Sequence, residues 1–454
     1  MKKRIAIVGL TLASLVLSAC DAGTSATSTP TVIPQPTAVT QSQATANTSA
    51  TLTGKIDVQA FGDPPEIKVI ESLVDGFKTK YPGTDVNIIS VPSQGEHMTK
   101  LSTAFAAGNA PDVWLLNYRR YGQFAAQGVI EPAGPLMAKS TSIKEDMYFE
   151  QALNAFRYQG VLQCVPQNIS SLVVYYNKDM FTKAGVPFPK AGWTWQDFLG
   201  AARQLSRDEN GDGVNDVHGL GTEIQIIRLA PFVWGNGGDI VDNPEKPTRL
   251  TLREGAAREA VQFFMDLQLV HKVVPTEAQE KAEDSESRFI NGRLGMYLAS
   301  RVATPAFREI KGFEWDVAGL PVGKQPTSIL HSDAFCVSKE GINKNKDLAW
   351  AFVEYTQGVE GQTRAASLGR TVPSLKEVAA SPAFLQPSAP PASSQVFIDA
   401  IPVMKQVPVL STWPKIESTI NEELERAFYG LAPIDVALQK AEEDTRELFA
   451  EANK

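Results

Sequence analysis

Lys55-Ile56-Asp57-Val58-Gln59-Ala60-Phe61, Val86-Asn87-Ile88-Ile89-Ser90-Val91 and Pro111-Asp112-Val113-Trp114-Leu115-Leu116 decide how this chain folds. Each reads as a short strand, and the stretches between them read as helices. After the start signal Pro64-Pro65, the residues Ile67, Ile70, Val74 and Phe77 recur at helical spacing, and Tyr81-Pro82-Gly83 stops the run. A second helix is expected from about Glu96 to Ala107. Strand, helix, strand, helix, strand in that order requires a mainly parallel sheet covered by helices on both faces. Such sheets hold ligands beyond the carboxyl ends of their strands. The loops Phe61-Gly62-Asp63 and Asn117-Tyr118-Arg119 are therefore candidate ligand surfaces.

Working outward, Leu172-Val173-Val174-Tyr175-Tyr176 reads as a buried strand running into Asn177. Helical periodicity predicts helices over 254–270, 347–356, 416–428 and 434–449. Residues 381–394 carry Pro382, Pro387, Pro390 and Pro391 and are expected to be irregular. A chain of 454 residues, 43% hydrophobic and 21% charged, is long enough for two domains with separate cores. Its formal charge of -8 repels phosphate backbones and excludes nucleic acid as a partner.

At the amino terminus, Lys2, Lys3 and Arg4 precede an apolar run from Ile5 to Leu17 that is too short for a stable membrane span. Leu17-Ser18-Ala19-Cys20 closes it and resembles a bacterial lipobox, which implies cleavage before Cys20 and lipidation of that cysteine. Residues 1–19 are thus expected to be a lipoprotein signal peptide; its loss with three basic residues takes the formal charge from -8 to −11. From Ala22 to Gly54 there is no charged residue. Thr, Ser, Ala, Gln and Pro dominate there and bury too little apolar surface to offset ordering entropy, so 20–54 is read as a disordered, lipid-anchored linker.

Signals for catalysis are absent. The four histidines His97, His218, His271 and His331 lie far apart, and there is neither an HExxH pair nor a GxSxG elbow nor a Walker loop. Gly235-Asn236-Gly237-Gly238 lacks dinucleotide-loop spacing. Many carboxylates are present, and sequence leaves open whether two of them face each other across a cleft as in a glycosidase. Asp208, Asn210, Asp212 and Asp216 place side-chain oxygens at positions one, three, five and nine, with Gly213 at six and the Val214 carbonyl at seven. That is the pattern of a Ca²⁺ loop, although Gly219 stands where a bidentate glutamate belongs. The alternative is a metal-free Asx turn. Any ion there would be structural. Trp234 beside Asn236, Gly237, Gly238 and Asp239 sets an indole next to a backbone that a ligand can approach, and flat aromatic faces stack on sugars.

In their order, these motifs resemble the extracellular solute-binding proteins of ABC importers, family 1, the maltose-binding type. The matching stretches are Gly108-Asn109-Ala110-Pro111-Asp112-Val113, Gln127-Gly128-Val129-Ile130-Glu131-Pro132, Val174 through Val186 with Gly192-Trp193-Thr194-Trp195, Trp234 through Gly238, Phe289 through Met296, and Asp347 through Phe352. The resemblance spans about residues 55 to 450 and implies a two-lobed α/β fold of the periplasmic-binding-protein type (type II) that closes on its ligand by hinge motion. Crossovers are implied near Cys164–Ser171, Ala303–Glu309 and 370–380. Lobe 1 then combines 55–167 with 306–372, and lobe 2 combines 168–305 with 373–454.

By local match the family's cleft positions fall on Phe61, Asp63, Glu96, Asn117, Tyr118, Asn168, Trp234, Gly238 and Trp413. Departures from the family pattern add Arg301, His331, Asp333 and Arg370, and the two arginines suit a carboxylate or phosphate on the ligand. The resemblance implies a monomeric, non-enzymatic subunit on the outer face of the bacterial cytoplasmic membrane. It would capture a mono- or oligosaccharide, need no cofactor, and deliver its cargo to the membrane permease. A binding protein for a sugar phosphate or uronate is the alternative, and a surface glycoside-active enzyme a third reading. Cys164 and Cys336, on predicted strands near the hinge, are either a disulfide or two buried thiols.

Overall fold

Ile56, Val58 and Ala60 form a fully buried row along β1 (Gly54–Phe61), which opens the part of the chain that the computed structural model describes, residues 52–454. The signal peptide, Cys20 and nearly all of the linker lie outside the described residues. Asp63 caps the helix that follows, α1 (Pro64–Lys80), by accepting the Glu66 amide proton at 2.9 Å, and Pro64 and Pro65 fill its first turn. Strands β2 (Thr84–Val91) and β3 (Val113–Asn117) lie parallel to β1 on either side. Between them, α2 (Gln94–Ala106) starts two residues earlier than expected because Ser93 supplies the cap. The helix α3 (Tyr118–Ala126) leaves directly from β3.

The first sheet is completed by β4 (Ile130–Glu131), β5 (Val165–Pro166) and a late strand, β10 (Asp333–Ser338), which runs antiparallel to β3, β4 and β5. A second sheet has β6 (Val173–Asn177) and β8 (Leu294–Ala299) at its centre, flanked by β9 (Trp315–Ala318) and β7 (His218–Gly221). Helices α4 (Ile226–Gly235), α5 (Gly255–Leu269), α6 (Lys346–Gln357), α7 (Val359–Ser367), α8 (Trp413–Phe428) and α9 (Ile434–Ala452) cover the sheets. The four helices predicted from periodicity are α5, α6, α8 and α9. The proline-bearing stretch 381–394 contains one short helix, Pro382–Leu385.

Two crossovers lie elsewhere than the sequence suggests. Trp315–Ala318 pairs with β6, so the chain is still in the second sheet at Ala318 and returns to the first only by Asp333. The physical reason is aromatic packing: Trp315 and Phe307 both meet Tyr175 of β6, with ring centroids 5.7 and 5.0 Å away. The stretch after Arg370 stays with the first sheet too, because Leu375 bridges to Tyr148 and the Phe149 amide donates to Ser374. The chain reaches the second sheet's side near Ser393, whose amide donates to Asp316 at 3.0 Å.

Between the sheets the connectors run side by side. Val165 and Pro166 pair with Phe335 and Ala334, Ser170 pairs with His331, and Asn168 pairs with Pro373. Cys164 and Cys336 are joined as a disulfide at one end of this ribbon, with Cα atoms 4.5 Å apart.

Candidate functional site

The carboxyl ends of β1 and β3 and the start of β10 bring three carboxylates toward one guanidinium. Arg370 donates to Asp63 at 3.0 Å and to Glu66 at 2.6 Å, and its Nη1 also reaches the Val302 carbonyl, just past β8, at 3.4 Å. Asp333 accepts from Asn117 at 3.0 Å and from Asn168 at 3.1 Å, while its own amide donates back to Asn168 at 3.0 Å. Asn117 holds this place because it caps α3, with its side-chain oxygen accepting from the Arg119 amide at 3.2 Å. Burial, together with the charges of Asp333 and Asp63, outweighs Arg370 and pushes the Glu66 carboxyl up to about 7. One guanidinium cannot neutralise three carboxylates, so we assign the retained proton to Glu66.

A second cluster sits beside the first. Glu417 of α8 receives Arg119, Arg120 (3.1 Å) and the Trp413 indole (3.1 Å), and Arg120 also reaches Gln94 at 3.4 Å. From the second sheet's side, Arg228 of α4 binds Glu223 at 2.7 Å, and Asn421 accepts the Ile226 amide at 2.7 Å. His331 lies between: burial, then the Arg228 and Arg119 charges, hold its imidazole well below the usual range, and its Nε2 has no partner among the described residues. It is therefore a neutral ring between two cations.

Asp63, Asn117, Asn168, His331, Asp333 and Arg370 thus come together, whereas the Phe61 ring packs on the buried His97, with centroids 5.0 Å apart. Other expected positions do not join them. Glu96 points to solvent and pairs with Lys100 at 2.9 Å, as its place on the outer face of α2 dictates. Tyr118 is fully buried, and its hydroxyl accepts the Val407 amide. Trp234 is core rather than a stacking face, since its indole is buried and donates to Asp239 at 2.9 Å. Trp413 is likewise enclosed. Gly238 serves packing: a Cβ there would meet the Ala257 amide nitrogen at 2.5 Å.

Arg301 is wholly buried, stacked against Phe384 and Phe397 and donating to the Gly369 carbonyl at 2.9 Å and to Ser394 at 3.0 Å. It secures the connectors instead of facing a ligand. Glu66, Arg120, Arg228 and Glu417 were missed: Glu66 meets Arg370 and Arg120 meets Glu417 across some three hundred residues, which no local pattern marks, and the Arg228–Glu223 pair five residues apart reads as an ordinary surface pair. For Glu66 a signal existed: it stands three residues after the capping Asp63.

In the 208–216 loop, Asp208 accepts from the Gly211 and Gly213 amides at 2.6 and 2.8 Å, Asn210 from Asp212 at 2.9 Å, and Asp212 from Val214 at 2.8 Å. Asp216 accepts from the Glu209 amide at 2.8 Å. These bonds hold Asp208 below the usual carboxylate range. Among the described residues no three His, Cys, Asp or Glu side chains gather closely enough to hold a metal. The donor set is all oxygen and suits Ca²⁺ in kind, but its oxygens are turned to loop amides. None of the described helices is long and apolar enough to cross a membrane.

The family model described as bacterial extracellular solute-binding protein matches residues 72–392. A putative binding protein of Brucella abortus is 23% identical over 376 residues, covering 82% of this chain and 87% of the relative. The maltotriose-binding protein of Pyrococcus abyssi is 23% identical, with 86% and 82% covered. An ABC substrate-binding protein from Listeria monocytogenes, solved in complex with cycloalternan, superposes with a TM-score of 0.79 at 26% identity, covering 88% of this chain and 99% of that one. The two-lobed type II architecture expected from the motif order is the fold these neighbours share.

Proposed function

This chain belongs to the family of bacterial extracellular solute-binding proteins, and we propose that its solute is a carbohydrate, a mono- or oligosaccharide held between the two sheets. The family is one of binding proteins, not enzymes, so the cargo leaves chemically unchanged, and no cofactor is required. The observation that carries the proposal is the wall of Asp63, Asn117, Asn168, Asp333 and Arg370 at the carboxyl ends of the first sheet. Alternating amide, carboxylate and guanidinium groups match the donors and acceptors that adjacent hydroxyls present. The named relatives from Pyrococcus and Listeria bind maltotriose and cycloalternan, which supports the same class of ligand here.

Each sheet would anchor one lobe, and closure about the connector ribbon would shield these bonds from water. The closed form would be what the permease of an ABC importer receives. Lipidation at Cys20 would hold the monomeric protein at the outer face of the cytoplasmic membrane, with residues 20–54 as its tether. A Ca²⁺ in the 208–216 loop would add stability only. The anionic alternative loses its two arginines, since Arg301 is stacked in the core and Arg370 is paired with two carboxylates.

The test is a thermal-shift screen of mono- and oligosaccharides. A ligand at a hundredfold excess over its Kd stabilises the native state by roughly 2.7 kcal/mol. A response confined to amino acids, polyamines or metal ions would remove the carbohydrate.

A further inference from the structure

A cavity of about 270 Å³ opens at the far end of the second sheet, lined by Val214, His218, Gln268, Leu269, Gln279 and Tyr429 among others. β7 and β8 run parallel with His218 level with Leu294, whereas the Val302 carbonyl that meets Arg370 lies just past the other end of β8. Leu294–Ala299 spans about 16 Å, so the cavity is separate from the site described above. Bonds of their own fix its walls. Asn215 donates to the Lys272 carbonyl at 2.9 Å, and its own carbonyl accepts from Gln279 at 2.9 Å. Gln279 in turn accepts from the Thr276 amide at 3.0 Å.

Two polar atoms in these walls are left over. Nδ1 of His218 and Oε1 of Gln268 are shut off from solvent and have no hydrogen-bond partner among the described residues. His218 is 1% exposed, and both residues line the cavity. An unmade bond at a buried polar atom is costly, and a group bound in the cavity would make it. The Gln268 oxygen only accepts, so it calls for a donor, while a hydroxyl pairs with the imidazole nitrogen whether or not that nitrogen carries a proton. Beside them Leu269 and Val214, both exposed, and the half-buried Tyr429 ring offer apolar surface. Among the described residues the lining holds no carboxylate, and its one lysine, Lys272, is exposed. A metal ion or an ammonium therefore meets no counter-charge, and no cation is enclosed to hold an anion.

We propose that this cavity is a second carbohydrate site, which holds one neutral pyranose ring. The C–H face of the ring lies on Tyr429 and Leu269, and two of its hydroxyls bond Gln268 Oε1 and His218 Nδ1. The volume suits one ring rather than a chain. Every lining residue falls within 213–279 or is Tyr429, none of them in the first sheet or the connectors. Hinge motion therefore neither builds nor opens this site, and sugar held there serves attachment to a glycan rather than transport. It stands whatever the cleft carries.

The histidines supply the test. In the full chain carrying ¹³C-labelled histidine, His218 reports on this cavity, His331 on the site at the carboxyl ends, and the buried His97 on the fold. The protein is titrated with glucose, galactose, mannose and N-acetylglucosamine, with glycerol and inorganic phosphate as controls. At least one sugar should move the His218 resonance along a saturating curve, with a Kd on the order of 1–10 mM, and neither control should. Gln268→Leu should weaken that binding about threefold to tenfold, and Val214→Trp, which fills the mouth of the cavity, should abolish it, both with His97 unmoved. A His218 resonance that no sugar moves, that glycerol or phosphate moves as well as sugar does, or that responds unchanged in both variants would overturn the second site. Movement of His331 without His218 would remove this proposal and leave the carbohydrate reading of the cleft standing. Movement of His218 alone would do the reverse.

Discussion

Replacing Arg370 by methionine tests the centre of the site. In the native protein the guanidinium lies against Glu66 and Asp63, and both Arg370 and Glu66 are buried. Breaking a buried pair by removing one partner costs about 3–5 kcal/mol where the other stays charged. Here the cost depends on pH. Glu66 titrates near 7 in the folded state against 4.5 ordinarily, a raised folded value. Its contribution to stability is therefore full below about 4.5 and is lost as pH rises through about 7, on the order of 3 kcal/mol in all at about 1.4 kcal/mol per pH unit.

Without Arg370 nothing offsets burial, and the Glu66 carboxyl moves higher still. The penalty of R370M should thus be modest at pH 5.5 and approach the full ~3 kcal/mol at pH 8. The double variant Glu66→Gln with Arg370→Met should recover most of the loss at pH 8. Urea unfolding followed by tryptophan fluorescence at the two pH values measures both. If R370M and the double variant unfold at the same urea concentration at pH 8, the assignment of the proton to Glu66 is wrong.

Three further outcomes are expected. Replacing Cys164 and Cys336 with serine opens a link across 172 residues and should cost about 2–5 kcal/mol, seen as a lower urea midpoint that reductant does not lower further; an unchanged midpoint would contradict a structural disulfide. Arg301→Lys loses the stacking and the fixed fork and should cost about 1–3 kcal/mol with sugar affinity nearly unchanged, whereas lost affinity at native stability would place Arg301 at the ligand. Millimolar Ca²⁺ should raise the melting temperature of the wild type but not of Asp212→Asn if the 208–216 loop takes an ion, and equal melting curves with and without Ca²⁺ would leave it a metal-free turn.

Local pattern carried the sequence far in some places and failed in others for physical reasons. The first sheet was legible because Ile56, Val58 and Ala60 alternate and the helices between its parallel strands repeat at 3.6 residues. Asp63 and Asn117 were legible because both follow a strand and cap a helix, which fixes where their side chains sit. Trp234 and Trp413 were read toward the ligand because sequence shows an aromatic residue but not which face of its helix the core takes. Arg301 looked like a free cation because Phe384 and Phe397, which sandwich it, lie more than eighty residues further on. Trp315–Ala318 was placed with the wrong sheet for a similar reason: four residues carry no periodicity, and Tyr175 alone tells them where to go.

The paired connectors have a consequence for where this chain matures. A door on one strap can twist, but on two straps stitched together it swings about a single line. The stitch from Cys164 to Cys336 joins the outgoing segment to the returning one at their shared root, and main-chain pairing as far as Ser170 and His331 keeps them aligned. A stitch of this kind lasts only where thiols are oxidised. Protein kept in a reducing cell interior should therefore have a looser swing than exported protein of identical sequence, and its grip on the cargo should be the first property to suffer.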